Sequence, residues 1–389
     1  MKVNEFKDVF SEESYMDSDK LDELIRGKSI NFLIGAGASV PIYPTLSFGE
    51  GYPSFEDIVS NSMLYQDSKT FMYIFYFMKW IKQMGINSEE FVKLYSNHEV
   101  FINYKKLVKC IYEFLQTESN EVPKRVNIFT TNYDLLFERA FDEFLFNNPL
   151  IYFNDGSRGF FNKSINNKNF YLNVTHSGYN DNYRREVPTI NLFKLHGSLS
   201  WKLEDNRILV NENNYLIDDI KQIIDNLNLD TIKIENIFNE CISTDTFEFI
   251  QKLNMKIKAE NMRRDLLDNF FYQYSKLPII NPNKYKFFKT VSEQHYYQLI
   301  RSFSYELERK QAILIVFGFS FADEHIKDIF ERSLLNPELQ VILISYSKSG
   351  QKYLKSIFGG YKNIIFLPEK FENNNGDFKY LLSLLGEIN

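Results

Sequence analysis

An apolar segment runs directly into a loop of small residues in the stretch Ile30-Asn31-Phe32-Leu33-Ile34-Gly35-Ala36-Gly37-Ala38-Ser39. The interpretation of the rest of the chain starts from this stretch. Four of the five residues before Gly35 are apolar, which predicts a buried strand over residues 30–34. Two glycines and two alanines let a backbone come close to an anion, and Ser39 adds a hydroxyl donor. The stretch therefore predicts a phosphate-binding loop formed by Gly35, Ala36, Gly37 and Ser39.

The same residues are also consistent with a tight turn between a core strand and the next segment. The dinucleotide fingerprint G-x-G-x-x-G requires a third glycine, and Val40 occupies that position. Five prolines and glycines then divide residues 41–53 into a loop, where an ordinary dehydrogenase would begin a helix. We therefore expect a phosphate-binding turn followed by a long loop that can fold over a nucleotide.

Apolar strands alternate with amphipathic helices along the rest of the chain. Strands are predicted at 30–34, 126–129, 190–195, 312–317, 341–345 and 364–367. Helices are predicted at 19–27, 54–66 with Ser54 as N-cap, 68–83, 88–118, 135–146, 299–307, 323–334 and 348–358. The strands are continuously apolar, which is typical of a parallel sheet covered on both faces. The predicted fold is α/β, a Rossmann-like parallel sheet with helices on both faces. Residues 1–389 form one domain with helical insertions at 54–118 and 201–300, and 147–188 hold loops and short strands.

Composition and charge exclude several classes of protein. The net charge of −6 is not that of a nucleic-acid-binding surface, so no direct nucleic-acid binding is expected. Cys110 and Cys241 are the only cysteines, which excludes a four-cysteine zinc module and argues against a disulfide scaffold. The longest apolar run, residues 71–78, is shorter than the roughly 20 residues that span a bilayer. The acidic start of the chain is no signal peptide, so we expect a cytoplasmic protein without membrane association.

Polar motifs stand where predicted strands end. They are Thr130-Thr131-Asn132-Tyr133-Asp134, Leu195-His196-Gly197-Ser198 and Gly318-Phe319-Ser320. Ligands of parallel α/β sheets bind at the carboxyl ends of the strands, so these motifs are expected to meet. Each also has a structural interpretation, since Thr131, Asn132 or Asp134 can cap the next helix and Ser320 can cap the helix at 323–334.

Together with the glycine loop, these motifs resemble the sirtuin-like (SIR2) family, and within it the bacterial SIR2-like NAD hydrolases of phage defence. By this resemblance Asn132 holds the ribose or the attacking water, and Asp134 organises the nicotinamide pocket together with Thr131. His196 matches the family's His-Gly pair and is the expected general base, since imidazole has an ordinary pKa of about 6.5. Gly318 and Ser320 would meet the phosphates and ribose of NAD, and Ser345, at the end of the strand 341–345, the adenosine ribose.

The resemblance implies an NAD hydrolase that cleaves the nicotinamide–ribose bond to give ADP-ribose and nicotinamide, in anti-phage defence by NAD depletion. Deacylating sirtuins carry paired cysteines and an Asp-Phe-Arg loop, whereas this chain lacks paired cysteines and residues 41–57 contain no arginine. The alternatives are an NAD-dependent protein deacylase or ADP-ribosyltransferase, and a non-catalytic NAD- or ADP-ribose-binding sensor subunit. NAD is expected as the substrate, with no metal. No sensor domain is expected after the core, so we expect control by homo-oligomerisation through the insertions, or by a HerA-like ATPase partner.

Overall fold

The computed structural model of the chain describes residues 15–46, 48–49, 51–119, 122–205, 207–211, 215–282, 294–371 and 375–387. The expectation about the start of the chain lies largely outside these residues. The strands are β1 (Ser29–Ile34), β2 (Arg125–Thr130), β3 (Tyr152–Asn154), β4 (Ser157–Arg158), β5 (Ser164–Ile165), β6 (Thr175–His176), β7 (Arg185–Glu186), β8 (Thr189–Lys194), β9 (Trp201–Glu204), β10 (Arg207–Val210), β11 (Ala312–Phe317), β12 (Gln340–Ile344) and β13 (Ile364–Leu367).

Seven of these strands form a central sheet in the order β13-β12-β11-β1-β2-β8-β3, and all neighbours in it are parallel. The predicted α/β fold with a Rossmann-like parallel sheet is therefore confirmed. The chain places β2 on one side of β1 and later returns to place β11 on the other side. In open α/β sheets such a reversal of strand order creates a crevice at the carboxyl ends of the strands, where ligands bind.

Helices cover both faces of this sheet. They are α1 (Ser18–Ile25), α2 (Phe55–Val59), α3 (Gln66–Tyr76), α4 (Lys82–Met84), α5 (Ser88–Tyr95), α6 (Glu99–Thr117), α7 (Leu136–Asn147), α8 (Tyr215–Asn226), α9 (Thr231–Cys241), α10 (Thr246–Glu260), α11 (Arg264–Tyr274), α12 (Gln294–Leu307), α13 (Glu324–Ser333), α14 (Lys348–Phe358) and α15 (Phe378–Leu384). Alternate residues of each strand enter two separate apolar cores, one shared with α6, α7 and α15 and the other with α12, α13 and α14.

Residues 54–118, predicted to form a helical insertion, contain α2 to α6, but the helices within this range have other limits than predicted. Ser54 caps α2 in a capping box with Asp57, as expected, but the helix ends at Val59 instead of residue 66. The next helix, α3, passes through a π-helical turn at Phe77–Ile81 into α4. Every residue of the aromatic run Phe71 to Phe77 is buried within the chain. Their burial therefore needs no second subunit.

The insertion expected at 201–300 to be mostly helical begins instead with a β-hairpin, β9 and β10. This hairpin joins β4 and β5 in a small antiparallel sheet. Of the helices that follow, α9, α10 and α11 pack onto α3, α10 also contacts α2, and α8 packs onto α11, so the two insertions form one helical layer. Residues 283–293 of this predicted insertion lie outside the described residues. Strand β3, within the segment expected to hold loops and short strands, joins the edge of the central sheet.

An uninterrupted row of asparagines, which we call the asparagine ladder, crosses the middle of the sheet. Asn31, Asn127, Asn191 and Asn154 lie side by side on β1, β2, β8 and β3. Each amide nitrogen after the first donates to the amide oxygen of the preceding strand's asparagine, at 2.8–2.9 Å. The remaining amide hydrogens reach backbone carbonyls or Glu306 on α12. The ladder fixes the register of four strands, since a shift of one strand would leave buried polar groups without hydrogen-bond partners.

In the part of the chain that the structure describes, no helix is long and apolar enough to cross a membrane.

Candidate functional site

The glycine loop after β1 packs directly against the loop after β11. The N–H of Gly35 donates to Phe317 O at 3.0 Å, and that of Gly37 donates to Gly318 O at 2.9 Å. A Cβ on Gly35 would lie 2.4 Å from Gly318 O, and one on Gly37 would lie 2.9 Å from Gly318 Cα. These glycines are therefore needed for contact between two loops of the chain, which favours the tight-turn interpretation for their amides. Ala36 and Gly37 remain exposed to a ligand, and phosphate binding there stays a prediction.

Gly318 is fixed by the same contact. Its φ of +64° is in the left-handed region, and a Cβ on it would lie 2.5 Å from Ala38 N. Ser320, two residues later, is exposed and does not cap α13, because Asp323 fills that role. The structural role considered for Ser320 is therefore wrong, while its contact with NAD stays a prediction.

Ser39 is the centre of a buried hydrogen-bond cluster. Its hydroxyl donates to Asp134 Oδ2 at 2.9 Å and lies 3.0 Å from the hydroxyl of Tyr104 on α6. It also accepts from Asn132 Nδ2 at 3.2 Å. The residue is only 1% exposed. Ser39 thus holds other polar side chains in place, and we call Ser39, Asn132, Asp134 and Tyr104 the edge cluster.

Two hydrogen-bond acceptors fix the orientation of the Asn132 side-chain amide. Its Nδ2 donates to the carbonyl of Gly35 at 3.1 Å and to the hydroxyl of Ser39 at 3.2 Å. A backbone carbonyl cannot donate, so the atom facing Gly35 must be the amide nitrogen. Both amide hydrogens are then engaged, and Asn132 can offer a ligand only its oxygen. Its backbone N–H is held in turn by the Thr130 hydroxyl.

Asp134 lies behind Ser39 and is 3% exposed. One carboxylate oxygen accepts from Ser39 and the other accepts from Leu136 N at 3.1 Å at the start of α7, so the helix-cap interpretation is present together with the cluster contact. Burial, assisted by the nearby Asp134 carboxylate, raises the pKa of Tyr104 well above its ordinary value. The Tyr104 hydroxyl therefore stays protonated and available as a donor.

A lysine that the sequence analysis did not select supports this cluster from β8. The ammonium of Lys194 is buried, donates to the backbone carbonyl of Asp134 and lies 3.1 Å from Glu138 Oε1 on α7. Burial raises the pKa of Glu138, and the charge of Lys194 opposes that rise. The position of the loop that carries Asn132 thus depends on a charged pair beneath it.

His196 follows β8 and reaches the loop after β11. Its Nε2 lies 3.1 Å from Oδ2 of Asp323, the residue that caps α13. The turn after it requires Gly197, whose φ is +88° and whose Cβ would lie 2.0 Å from Pro278 O. The loops after β2 and β8 are also joined by a hydrogen bond from Leu199 N to Tyr133 O at 3.1 Å. Loops after β1, β2, β8 and β11 are therefore all connected to one another at the carboxyl edge.

Two predicted NAD contacts stand apart from these connections. Thr131 is half-buried beside Asn132. Ser345, after β12, is 4% exposed, and its hydroxyl has no hydrogen-bond partner among the described residues. A buried hydroxyl without a partner is costly, so Ser345 is a position where a polar ligand atom would be favoured. Both remain predictions as NAD contacts.

The residues that sequence reasoning missed are Tyr104, Lys194 and Asp323. An aspartate directly before an amphipathic helix is a cap signal, so Asp323 had a local signature. Tyr104 lies 65 positions from Ser39 in the chain, and its helical pattern indicates burial but no partner.

Among the residues that the structure describes, no three or more His, Cys, Asp and Glu side chains form a group that could hold a metal ion. Both cysteines are buried and unpaired, on α6 and α9.

Comparison with known proteins finds one family model that matches the part of the chain carrying much of this site. Residues 126–245 match the family model described as SIR2-like domain, a stretch that runs from β2 to the start of α10 and contains Asn132, Asp134 and His196. The match covers about a third of the chain and supports a SIR2-like relationship and an NAD-related activity. No curated protein matches the chain.

Proposed function

We propose that the protein is an NAD hydrolase that cleaves the bond between nicotinamide and ribose, releasing nicotinamide and ADP-ribose. The observation that carries the proposal is the placement of Asn132 and His196. They follow the neighbouring parallel strands β2 and β8, within the SIR2-like match, and each is held by a residue from another loop.

The edge also offers what the two ends of a dinucleotide require. The exposed turn at Ala36 and Gly37 lies at the reversal of strand order, between β1 and β11. The buried Ser345 hydroxyl lies one strand further, after β12. This distribution fits an extended substrate that lies across the carboxyl ends of several strands.

The chemistry assigned to His196 is proton removal. Nicotinamide in NAD is already a cationic leaving group, so its departure needs little acid assistance, and the ribose carbon gains oxocarbenium character. In the proposed reaction His196 takes a proton from water or a ribose hydroxyl. The O–H bond breaks, an N–H bond forms, and the resulting oxygen nucleophile is directed to the ribose carbon.

Asn132 orients the group that loses this proton. With both amide hydrogens bound to Gly35 and Ser39, its oxygen can accept a hydrogen bond from water or from a hydroxyl. Asp134 acts through Ser39, since its two oxygens are held by Ser39 and by the backbone of α7. Asp134 is therefore assigned a positioning role.

The test is incubation of purified protein with NAD, with and without an acetylated peptide, followed by product analysis. Free ADP-ribose without peptide is expected. Turnover only with peptide would indicate a deacylase. ADP-ribose attached to protein would indicate a transferase, and the absence of turnover would indicate a binding subunit. His196→Ala should reduce cleavage by on the order of 10²–10⁴-fold but keep NAD affinity within about tenfold, roughly 1.4 kcal/mol. His176→Ala, on the exposed hairpin β6–β7, is the control.

We further propose that the activity serves anti-phage defence by NAD depletion and is controlled by assembly, as a homo-oligomer or with a HerA-like ATPase. The support is physical: unrestrained NAD hydrolysis would harm the cell, so the enzyme needs control. Light scattering at micromolar concentration tests self-association, and a 46.2 kDa species alone would refute the homo-oligomer. Adding a purified HerA-like ATPase to the same sample tests the second form of control.

A further inference from the structure

We propose that Asp323 sets the tautomer of His196, holding the proton on Nε2 and leaving Nδ1 as the basic nitrogen. Its catalytic consequence rests on the proposed function, while the tautomer itself can be measured independently of any activity. Asp323 lies outside the part of the chain that matches the SIR2-like model.

The first argument is the contact itself. His196 Nε2 and Asp323 Oδ2 are 3.1 Å apart, and their side chains are 13% and 6% exposed. An ionised carboxylate attracts positive charge, so a proton on the ring nitrogen nearest to it is favoured over a proton on the distant nitrogen. In a neutral imidazole the other nitrogen, Nδ1, then holds the lone pair.

The second argument is that Asp323 is itself held in one orientation. Its Oδ1 accepts from the backbone N–H groups of His325 at 3.2 Å and Ile326 at 3.5 Å, at the start of α13. The N-terminus of a helix also favours a negative charge at this position. With Oδ1 bound by the helix, Oδ2 is directed to His196.

The third argument is the loop that carries Asp323. Phe321 has a φ of +58°, an unusual and strained conformation for a bulky residue. Its ring is 2% exposed and packs against the rings of Phe319, Phe330 and Phe358. The aromatic core thus holds the backbone in a strained shape two residues before Asp323. Packing that maintains this strained backbone also fixes the position of Asp323, two residues later.

The pair has a defined role in the reaction. When Nδ1 takes a proton from water or a hydroxyl, the ring becomes an imidazolium, and the carboxylate at 3.1 Å stabilises that charge. Asp323 touches neither substrate nor reacting atoms in this scheme, so it is a positioning residue that acts through His196.

The variant Asp323→Asn separates this role from helix capping. Asparagine caps helices about as well as aspartate, so α13 keeps its acceptor. Its amide nitrogen would now face His196 and donate to Nε2, which forces the proton onto Nδ1. The matched control is Asp230→Asn, the same change at the cap of α9, where the side chain accepts from Lys233 N.

The decisive measurement is nitrogen-detected NMR of ¹⁵N-histidine-labelled protein at a pH where His196 is neutral, with its signals identified by their loss in His196→Gln. We expect the proton on Nε2 in the wild type and in Asp230→Asn, and on Nδ1 in Asp323→Asn. A wild-type proton on Nδ1, or the same pattern in the wild type and in Asp323→Asn, would overturn the proposal.

Steady-state kinetics test the catalytic consequence. Asp323→Asn should lower kcat for NAD by about 100-fold or more with KM changed by less than about threefold, and Asp230→Asn should match the wild type. A reversed tautomer with unchanged kcat would overturn the catalytic role of the pair. Wild-type protein that leaves NAD intact would refute the proposed function, and the NMR result would still decide the proposal about the tautomer.

Discussion

The four asparagines of the asparagine ladder and the single residue Asn132 are all buried near the same sheet, but their hydrogen bonding differs. The asparagine ladder crosses the middle of β1, β2, β8 and β3, and each of its amide oxygens accepts a hydrogen bond, ending with Asn154, which accepts from Gly156 N. Asn132 stands two residues after the end of β2, with both amide hydrogens bound to Gly35 and Ser39.

The difference shows that residue type does not distinguish a structural asparagine from a functional one. In the ladder every donor meets an acceptor supplied by the sheet, by α12 or by a nearby loop, which leaves nothing for a ligand. In the edge cluster the partners come from loops and from α6, and the polar groups lie where the strand order reverses. Position relative to the strand end therefore decides the role.

The comparison predicts its largest effect for Asn132→Ala. Removal of the amide should reduce NAD cleavage by on the order of 10²–10³-fold, because no acceptor then orients the nucleophile. Stability should fall by only about 1 kcal/mol, since Gly35 O keeps the N–H of Ala38 and Ser39 keeps its bonds to Asp134 and Tyr104. Product analysis and urea unfolding on the same preparation measure both. An active variant would remove Asn132 from the proposed site.

Asn127→Ala should show the reverse behaviour. The change leaves Asn31 Oδ1, Glu306 Oε2 and Asn191 Nδ2 each without one partner in a buried sheet. At roughly 1–3 kcal/mol for each orphaned group, the free energy of unfolding should drop by about 3 kcal/mol or more. Activity per folded molecule should remain close to that of the wild type. A large loss of kcat in fully folded protein would contradict a purely structural role for the ladder.

Ser39→Ala tests whether the edge cluster positions Asn132 or contacts phosphate itself. Because the Ser39 hydroxyl already bonds with Asp134, Asn132 and Tyr104, we expect a fall in kcat of about tenfold, roughly 1.4 kcal/mol, with little change in KM. A direct phosphate contact would raise KM instead. Ser356→Ala on α14, which removes only a local bond to Tyr353 O, is the control.

Much of the fold could be predicted from the sequence because buried parallel strands are continuously apolar. The strand Ala312–Phe317 and the helix Lys348–Phe358 have the predicted limits. The hairpin β9–β10 was missed because the strand it pairs with, β5, lies more than 35 residues earlier and has only two residues. Helix α2 is shorter than its pattern suggested, since residues 60–65 form turns that lead into α3.

The site was predicted to a different depth. Strand ends indicated Asn132 and His196, and the structure brings both to the carboxyl edge. Asp323 had a local signature as a helix cap, but its contact with His196, like that of Tyr104 with Ser39, depends on tertiary structure that no local pattern contains. The ladder did have a signal that was overlooked: the segments Ile30-Asn31-Phe32, Val126-Asn127-Ile128 and Ile190-Asn191-Leu192 each place an asparagine between apolar residues of a strand.

Gly37→Ala tests the loop contact that supports the edge cluster. The new Cβ would lie 2.9 Å from Gly318 Cα and O, so one loop must move, at a cost of about 1–3 kcal/mol in stability. In Gly360→Ala the added Cβ meets nothing within 4 Å, and stability should be unchanged or slightly higher. Thermal unfolding of both variants measures the difference. Equal stabilities would show that the loops are not in close contact.

The smallest expected effect is a dependence of stability on pH. The amides of the ladder do not titrate, whereas Glu138, which supports the edge cluster through Lys194, does. Burial raises the pKa of Glu138 above its ordinary value of 4.5, although Lys194 opposes the rise. The folded chain therefore retains this proton at a pH where the unfolded chain has lost it. The corresponding stability is present below pH 4.5 and is lost as the pH rises through the raised pKa.

Glu138→Gln keeps an oxygen near Lys194 and removes the titration. Urea unfolding across this range should show the wild type losing stability relative to the variant as the pH rises, whereas a constant difference would show that Glu138 ionises alike in both states.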